Sequence, residues 1–205
     1  MSRNHLTEAE AHELMSDDFP SLVEVFLKSK DALNKRILLD FEMGVTNHTS
    51  KVKAMDMWHY AMNFSSQMFA DHPNFKPGFY NQVYGLVYHE AMFIRFKKLN
   101  DQFQTANIPT IQSSAIDNQS SVGTFPAKPC ILTVGYISDV TGVGFKSINL
   151  ICSKKKKVIW NINLLDAQST NIELPFTPDT GPVSPSVEKL LIIKEGKKKK
   201  NNKIG

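Results

Sequence analysis

The sequence predicts an α+β domain in which an N-terminal helical layer of about three helices packs on a C-terminal antiparallel β-meander. Three observations carry this. Apolar residues recur at helical spacing as far as about residue 70, they alternate in short runs after residue 130, and the stretch from Tyr88 to Asn100 marks the change between the two regimes. With 205 residues and 41% hydrophobic content, the chain has enough apolar side chains for a sizeable core.

Thr7-Glu8-Ala9-Glu10 has the form of a capping box, so a short helix is expected to run to about Ser16. Pro20 and Ser21 then suggest a stop and a fresh N-cap at Ser21, with Glu24 three residues on. Leu22, Val25, Phe26, Leu33, Ile37 and Phe41 fall close to one helical stripe, with Leu38 off it, and Gly44 suits a left-handed C-cap; the helix should be about 20 residues long. The polar run from Thr46 to Ser50 offers N-caps for a third helix reaching Ala70. Its apolar face is expected to hold Val52, Met55, Trp58, His59, Met62 and Phe69. Pro73, Pro77 and Gly78 should end it.

Residues 79–100 fit two patterns. Tyr80, Val83, Tyr84, Val87 and Tyr88 make a helical stripe, whereas the aromatic and β-branched content and the internal Gly85 favour a hairpin pairing Leu86–Tyr88 with Phe93–Lys97 across a turn near Glu90. Residues 101–128 are polar and aperiodic and read as a long connection. Leu132, Val134 and Tyr136, then Ile148, Leu150 and Cys152, then Val158, Trp160, Ile162 and Leu164 alternate with their neighbours, which gives three antiparallel strands in meander order. Trp58 and Trp160 are expected in the core. The chain thus divides into a helical region, 1–78, an antiparallel β region of the same domain, 79–166, and a Pro-rich linker with a disordered Lys-rich tail, 167–205.

The formal charge of +4 is uneven. Ser186 to Gly205 carries seven lysines against Glu188 and Glu195, a net +5, so the remainder is near −1 and the overall basicity is no argument for nucleic-acid binding. No run of 18 or more apolar residues exists, and the first residues lack the basic-then-apolar layout of a signal peptide; the expectation is a soluble, cytoplasmic protein that does not enter membranes. Cys130 and Cys152 read as small buried hydrophobes, with a bridge open only if they lie on adjacent strands.

Arg95-Phe96-Lys97-Lys98-Leu99, followed by Asn107-Ile108-Pro109-Thr110, Leu132-Thr133-Val134-Gly135-Tyr136 and Val158-Ile159-Trp160, resembles an uncharacterised family of bacterial and phage proteins. Upstream, His48-Thr49 precedes a helix that contains Ala54 and ends at Phe69-Ala70-Asp71, and the match spans about residues 45–165. The resemblance implies a bacterial or phage origin, a strand at Phe93–Lys97 and an association with two-gene regulatory or defence modules. It brings no established activity and no catalytic residue.

The sharpest basic cluster is Arg95, Lys97 and Lys98. On a strand Arg95 and Lys97 share one face with Phe93, and Arg95 would serve as a bidentate donor to a phosphate or an acidic partner. Lys154, Lys155, Lys156 and Lys157 would form a positive hairpin tip able to meet a phosphate backbone, although no aromatic residue is interleaved for base stacking. Lys197 to Lys200 read as a solubilising end. His59 beside Asp56 and Tyr60, and His89 beside Glu90, are the only weak catalytic candidates, with both histidines more readily explained as helix and turn residues. HExxH, GxSxG, a phosphate-cradling glycine loop and a nuclease-type carboxylate set are all absent, so no metal or cofactor is expected and enzymatic activity is not favoured. The favoured reading is a non-enzymatic binding protein for another protein, of the kind that neutralises or regulates within an antitoxin-like or defence gene pair. The alternatives are nucleic-acid binding through the lysines and a hydrolase or nuclease built on the histidines. The sequence leaves the oligomeric state open.

Overall fold

The computed structural model describes residues 6–45, 48–80, 82–105, 110–119 and 130–169. Thr7 and Glu10 close a capping box at the start of α1 (Glu8–Met15). A single 3-10 turn then leads into α2 (Phe19–Glu42). The N-cap of α2 is Asp18 and Pro20 sits in its first turn, so the cap expected at Ser21 is not used; proline fits there because its missing N–H would be unpaired in any case. Gly44, at φ +84°, lies just past the C-cap Met43. Thr49 then accepts a hydrogen bond from the Val52 N–H and opens α3 (Ser50–Met68).

The expected apolar face of α3 meets the core only in part, with Phe69 buried and Trp58 and Met62 packed against the core from its edge. Met57, Ala61 and Ser65 are buried, while Val52, Met55 and His59 are exposed and Trp58 is half-buried. Small Ala61 and Ser65 let α3 approach closely, and Ser65 Oγ lies 2.9 Å from the Tyr84 hydroxyl. In α2 the buried positions end at Leu33, and Phe41, expected on the core stripe, is 66% exposed.

Six strands follow: β1 (Phe75–Tyr80), β2 (Val83–Tyr88), β3 (Met92–Lys98), β4 (Cys130–Ser138), β5 (Phe145–Lys154) and β6 (Lys157–Asn163), ordered 1-2-3-4-5-6 across one sheet. The hairpin is confirmed, with Leu86 opposite Ile94 and Tyr88 opposite Met92, and so is the β4–β5–β6 meander. β1 is a correction, because the Lys76-Pro77-Gly78 segment read as a breaker is an edge strand, where a proline is tolerated. The sheet is also not wholly antiparallel: β3 and β4 run parallel, with Arg95 opposite Thr133. Parallel neighbours need a crossover, and the connection expected at 101–128 contains α4 (Ile111–Asp117). The Asn107-Ile108-Pro109 part of that connection lies outside the described residues. α5 (Leu164–Ser169) continues from β6, so the expected linker start at 167 falls within a helix.

Helices α1, α2 and α3 cover one face of the sheet. Phe26 of α2 packs against Phe96 and Tyr136, with ring centroids 5.7 Å away in both cases. Trp160 is buried as expected and donates its indole N–H to the Leu6 carbonyl at 2.7 Å. On the opposite face, Ile116 of α4 covers Val87, Phe93 and Ile131, and Phe103 caps Leu99, Ile137 and Ile151. Two glycines are required by close approach. A Cβ on Gly85 would lie 2.5 Å from the Ile94 carbonyl oxygen, and one on Gly135 would lie 2.5 Å from Leu99 Cγ. Among the described residues no helix is long and apolar enough to cross a membrane.

Candidate functional site

A groove of about 630 Å³ opens between α2, α3 and the ends of β3 and β4. Because Thr49 fixes where α3 begins, Lys51, Ala54, Trp58 and Ala61, three or four residues apart, line one side of it. Phe26, Phe96 and Tyr136 form the other walls. Among the described residues the Tyr136 hydroxyl has no hydrogen-bond partner, and burial pushes its pKa up to about 12. This is the size and apolar character of a binding pocket.

Lysines surround the groove. Lys51 and Lys98 line it directly and are exposed. Lys30 of α2 donates to the Gly142 carbonyl, and its pKa is lowered, first by burial and then by the charges of Lys53 and Lys98, with Asp139 opposing. Asp139 is itself engaged, accepting from Thr141 Oγ1 and from the Gly144 N–H, both at 2.8 Å. The rim is therefore positive and the interior apolar.

Beyond the groove, α2 continues past its last buried residue, Leu33. Its 24 residues span about 36 Å. Leu38, Leu39, Phe41 and Met43, the last 72% exposed, share one end of the helical hairpin with Val52 and Met55 of α3. Met55 is both exposed and part of the groove lining. An exposed apolar surface of this kind marks an interaction site more often than it does chance exposure.

Arg95 is not part of any surface. It is 4% exposed, with Nη2 3.2 Å from Asp117 Oδ1 and Nε donating to Thr133 Oγ1 at 2.9 Å. Burial lowers its pKa and Asp117 works against that shift. Its expected role as an anion donor is corrected, since the guanidinium already serves an internal carboxylate. Lys97 is half-buried, and both Lys97 and the exposed Lys98 border the groove.

Lys154, Lys155, Lys156 and Lys157 form the β5–β6 tip, with Lys155 at φ +51° and Lys156 at φ +63° in a two-residue turn. The turn is held from below: the Lys155 N–H donates to the Asp117 carbonyl at 2.6 Å, and Gln104 Nε2 to the Lys156 carbonyl at 3.5 Å. The crevice between them, bordered by Asp117, Thr133 and Lys156, measures about 20 Å³ and is too small for a ligand.

The histidines do not converge with a nucleophile. His59 is exposed on α3, not half-buried, with its ring 5.1 Å from Trp58. His89 and Glu90 occupy the β2–β3 turn at φ +46° and +56°, and Glu90 pairs with Lys76 at 2.7 Å. The depression beside them is bordered by Pro73, Asn74, Lys76 and Val87 and does not include His59. Asp56 is buried and acts on Arg36, whose pKa it raises together with Tyr60 and Asp40. Cys130 and Cys152 are free thiols that touch across adjacent strands, where the contact with Cys130 and then burial raise the Cys152 pKa. Among the described residues no three His, Cys, Asp or Glu side chains are grouped to hold a metal.

Sequence reasoning missed the groove. The signal lies in the stripe of Val52, Met55 and Trp58 on α3, whose helical spacing reads as a core face. Gln119 was also missed: its amide donates to the Ile131 and Ser153 carbonyls and accepts from the Ile131 N–H, joining β4 to β5. No family model, curated protein or solved structure matches the chain.

Proposed function

We propose that this is a non-enzymatic protein-binding module that docks a partner protein in the groove between α2, α3 and the sheet. The observation that supports it is an apolar groove of about 630 Å³ bordered by Lys51, Lys97 and Lys98, with the exposed Met55 in its lining. The partner in this reading is the product of a neighbouring gene in a bacterial or phage regulatory or defence pair, which the protein neutralises or regulates. It acts in the cytoplasm, where Cys130 and Cys152 stay reduced.

A photo-crosslinking residue at position 55, compared with one at the exposed Val140, tests this. The protein trapped at position 55 should, once purified, bind the wild-type chain and lose binding to Met55→Glu. Equal trapping at positions 55 and 140, or undiminished binding to Met55→Glu, contradicts the reading.

A second reading keeps nucleic acid as the partner of the lysine tip, whose exposed Lys155, Lys156 and Lys157 are presented on a turn pinned to α4. It requires affinity for DNA or RNA that falls steeply with salt and falls again when these lysines become alanine. Salt-insensitive or absent binding removes it.

A further inference from the structure

From the geometry of the groove, and resting on the protein-docking reading above, we infer that its occupant is an acidic amphipathic α-helix of the partner, laid with its apolar stripe against Phe26, Trp58 and Tyr136 and its carboxylates toward Lys51 and Lys98.

The lining of the groove points to one mode of recognition. β3, whose end forms the groove wall, is paired with β4 from Met92 to Lys98 and with β2 from Met92 to Ile94. The lining is mostly apolar side chains of α2, α3, β3 and β4, so the occupant docks through side chains. Among recurrent modes of peptide recognition, the one that uses an apolar trough is a helix whose anchors recur three, four and seven residues apart. Ala54 and Ala61, seven residues apart on α3 and on the same side, provide the low floor such a helix needs.

Charge selects the occupant. Lys53 and Lys98 each lie near enough to Lys30 for their charges to act on it, and Lys51 adds a fourth cation at the rim. The opposing carboxylate, Asp139, is committed to Thr141 and Gly144. A basic segment would meet like charge, which argues against the chain's own Lys197–Lys200 end. In a second copy the acidic helix α1, with Glu8, Glu10 and Glu13, has Ala11 and Met15 fully buried in its own core, so α1 is not the occupant.

Fluorescence anisotropy with the full chain tests this. The probes are two fluorescein-labelled 16-residue helical peptides with the same Leu/Phe stripe, one with glutamate at every other position and one with lysine. Circular dichroism should show Met55→Glu and the pair Lys51→Glu/Lys98→Glu folded as wild type, since all three side chains are exposed. The acidic peptide is expected to bind saturably and at least tenfold more tightly than its basic twin, to weaken with salt, and to lose at least tenfold in affinity to either variant. If the basic twin binds as well as the acidic one and both are lost in Met55→Glu, the acidic helix is overturned and the docking groove stands. If neither peptide binds while dodecanoate saturates the groove, the site takes a small amphiphile and this inference falls. If nothing binds and position 55 traps no protein, the docking reading falls with it.

Discussion

Arg95 Nη2 lies 3.2 Å from Asp117 Oδ1, and this contact joins β3 to the crossover helix α4 across 22 residues of chain. The pair is buried, with the Arg95 side chain 5% and the Asp117 side chain 15% exposed. Removing one partner leaves a charge stranded in a low-dielectric interior, which costs about 3–5 kcal/mol. Asp117→Ala should therefore lower the urea midpoint sharply, and the double variant Arg95→Met/Asp117→Leu should recover most of the loss. A change below about 1 kcal/mol in the single variant would mean that the pair does not hold α4 in place.

The two kinds of glycine separate in a denaturation series. Gly85→Ala forces a Cβ to 2.5 Å from the Ile94 carbonyl oxygen and from Phe93 Cζ, an overpacking that costs about 1–3 kcal/mol. Gly44→Ala meets nothing within 4 Å and bears only the strain of φ +84°, about 1 kcal/mol. Gly85→Ala should be the more damaging; the reverse order would contradict the packing of β2 on β3.

What the sequence made legible follows from the range of the interaction. Caps, hairpins and alternation are local, so the box at Thr7 and Glu10, the cap at Thr49, the β2–β3 hairpin and the meander were all readable. Contacts made by chain returning from a distance were not. Asp117 returns to Arg95 only through the crossover, and nothing in Arg95-Phe96-Lys97-Lys98 distinguishes a buried guanidinium from an exposed one. Pro77 and Gly78 looked like breakers because an edge strand can be recognised only once its neighbour β2 is placed. The groove was hidden for a related reason. Periodicity finds an apolar stripe on α3, but whether Met55 and Trp58 or Met57 and Ala61 face the sheet depends on how closely the helices approach.

Alkaline pH gives a third test. The folded pKa of Tyr136, at about 12, stands above the ordinary tyrosine value near 10 because burial disfavours the phenolate. The stability tied to its proton is full below about pH 10 and is lost as pH rises toward 12, an effect on the order of 2 kcal/mol. Tyr136→Phe should flatten the fall of unfolding free energy between about pH 10 and 12 while leaving neutral stability little changed. Parallel pH curves for the two proteins would contradict burial as the cause.

The docking groove is tested most directly through its methionines. Met55 and Met57 line it, whereas Met15 and Met92 are buried and are not part of its lining. With ¹³C-methyl methionine labelling, titration with the acidic amphipathic peptide should shift or broaden the Met55 and Met57 resonances in step with saturation and leave Met15 and Met92 in place. Shifts of similar size at all four methionines, or none at Met55 and Met57 under saturating peptide, would contradict the groove as the docking surface.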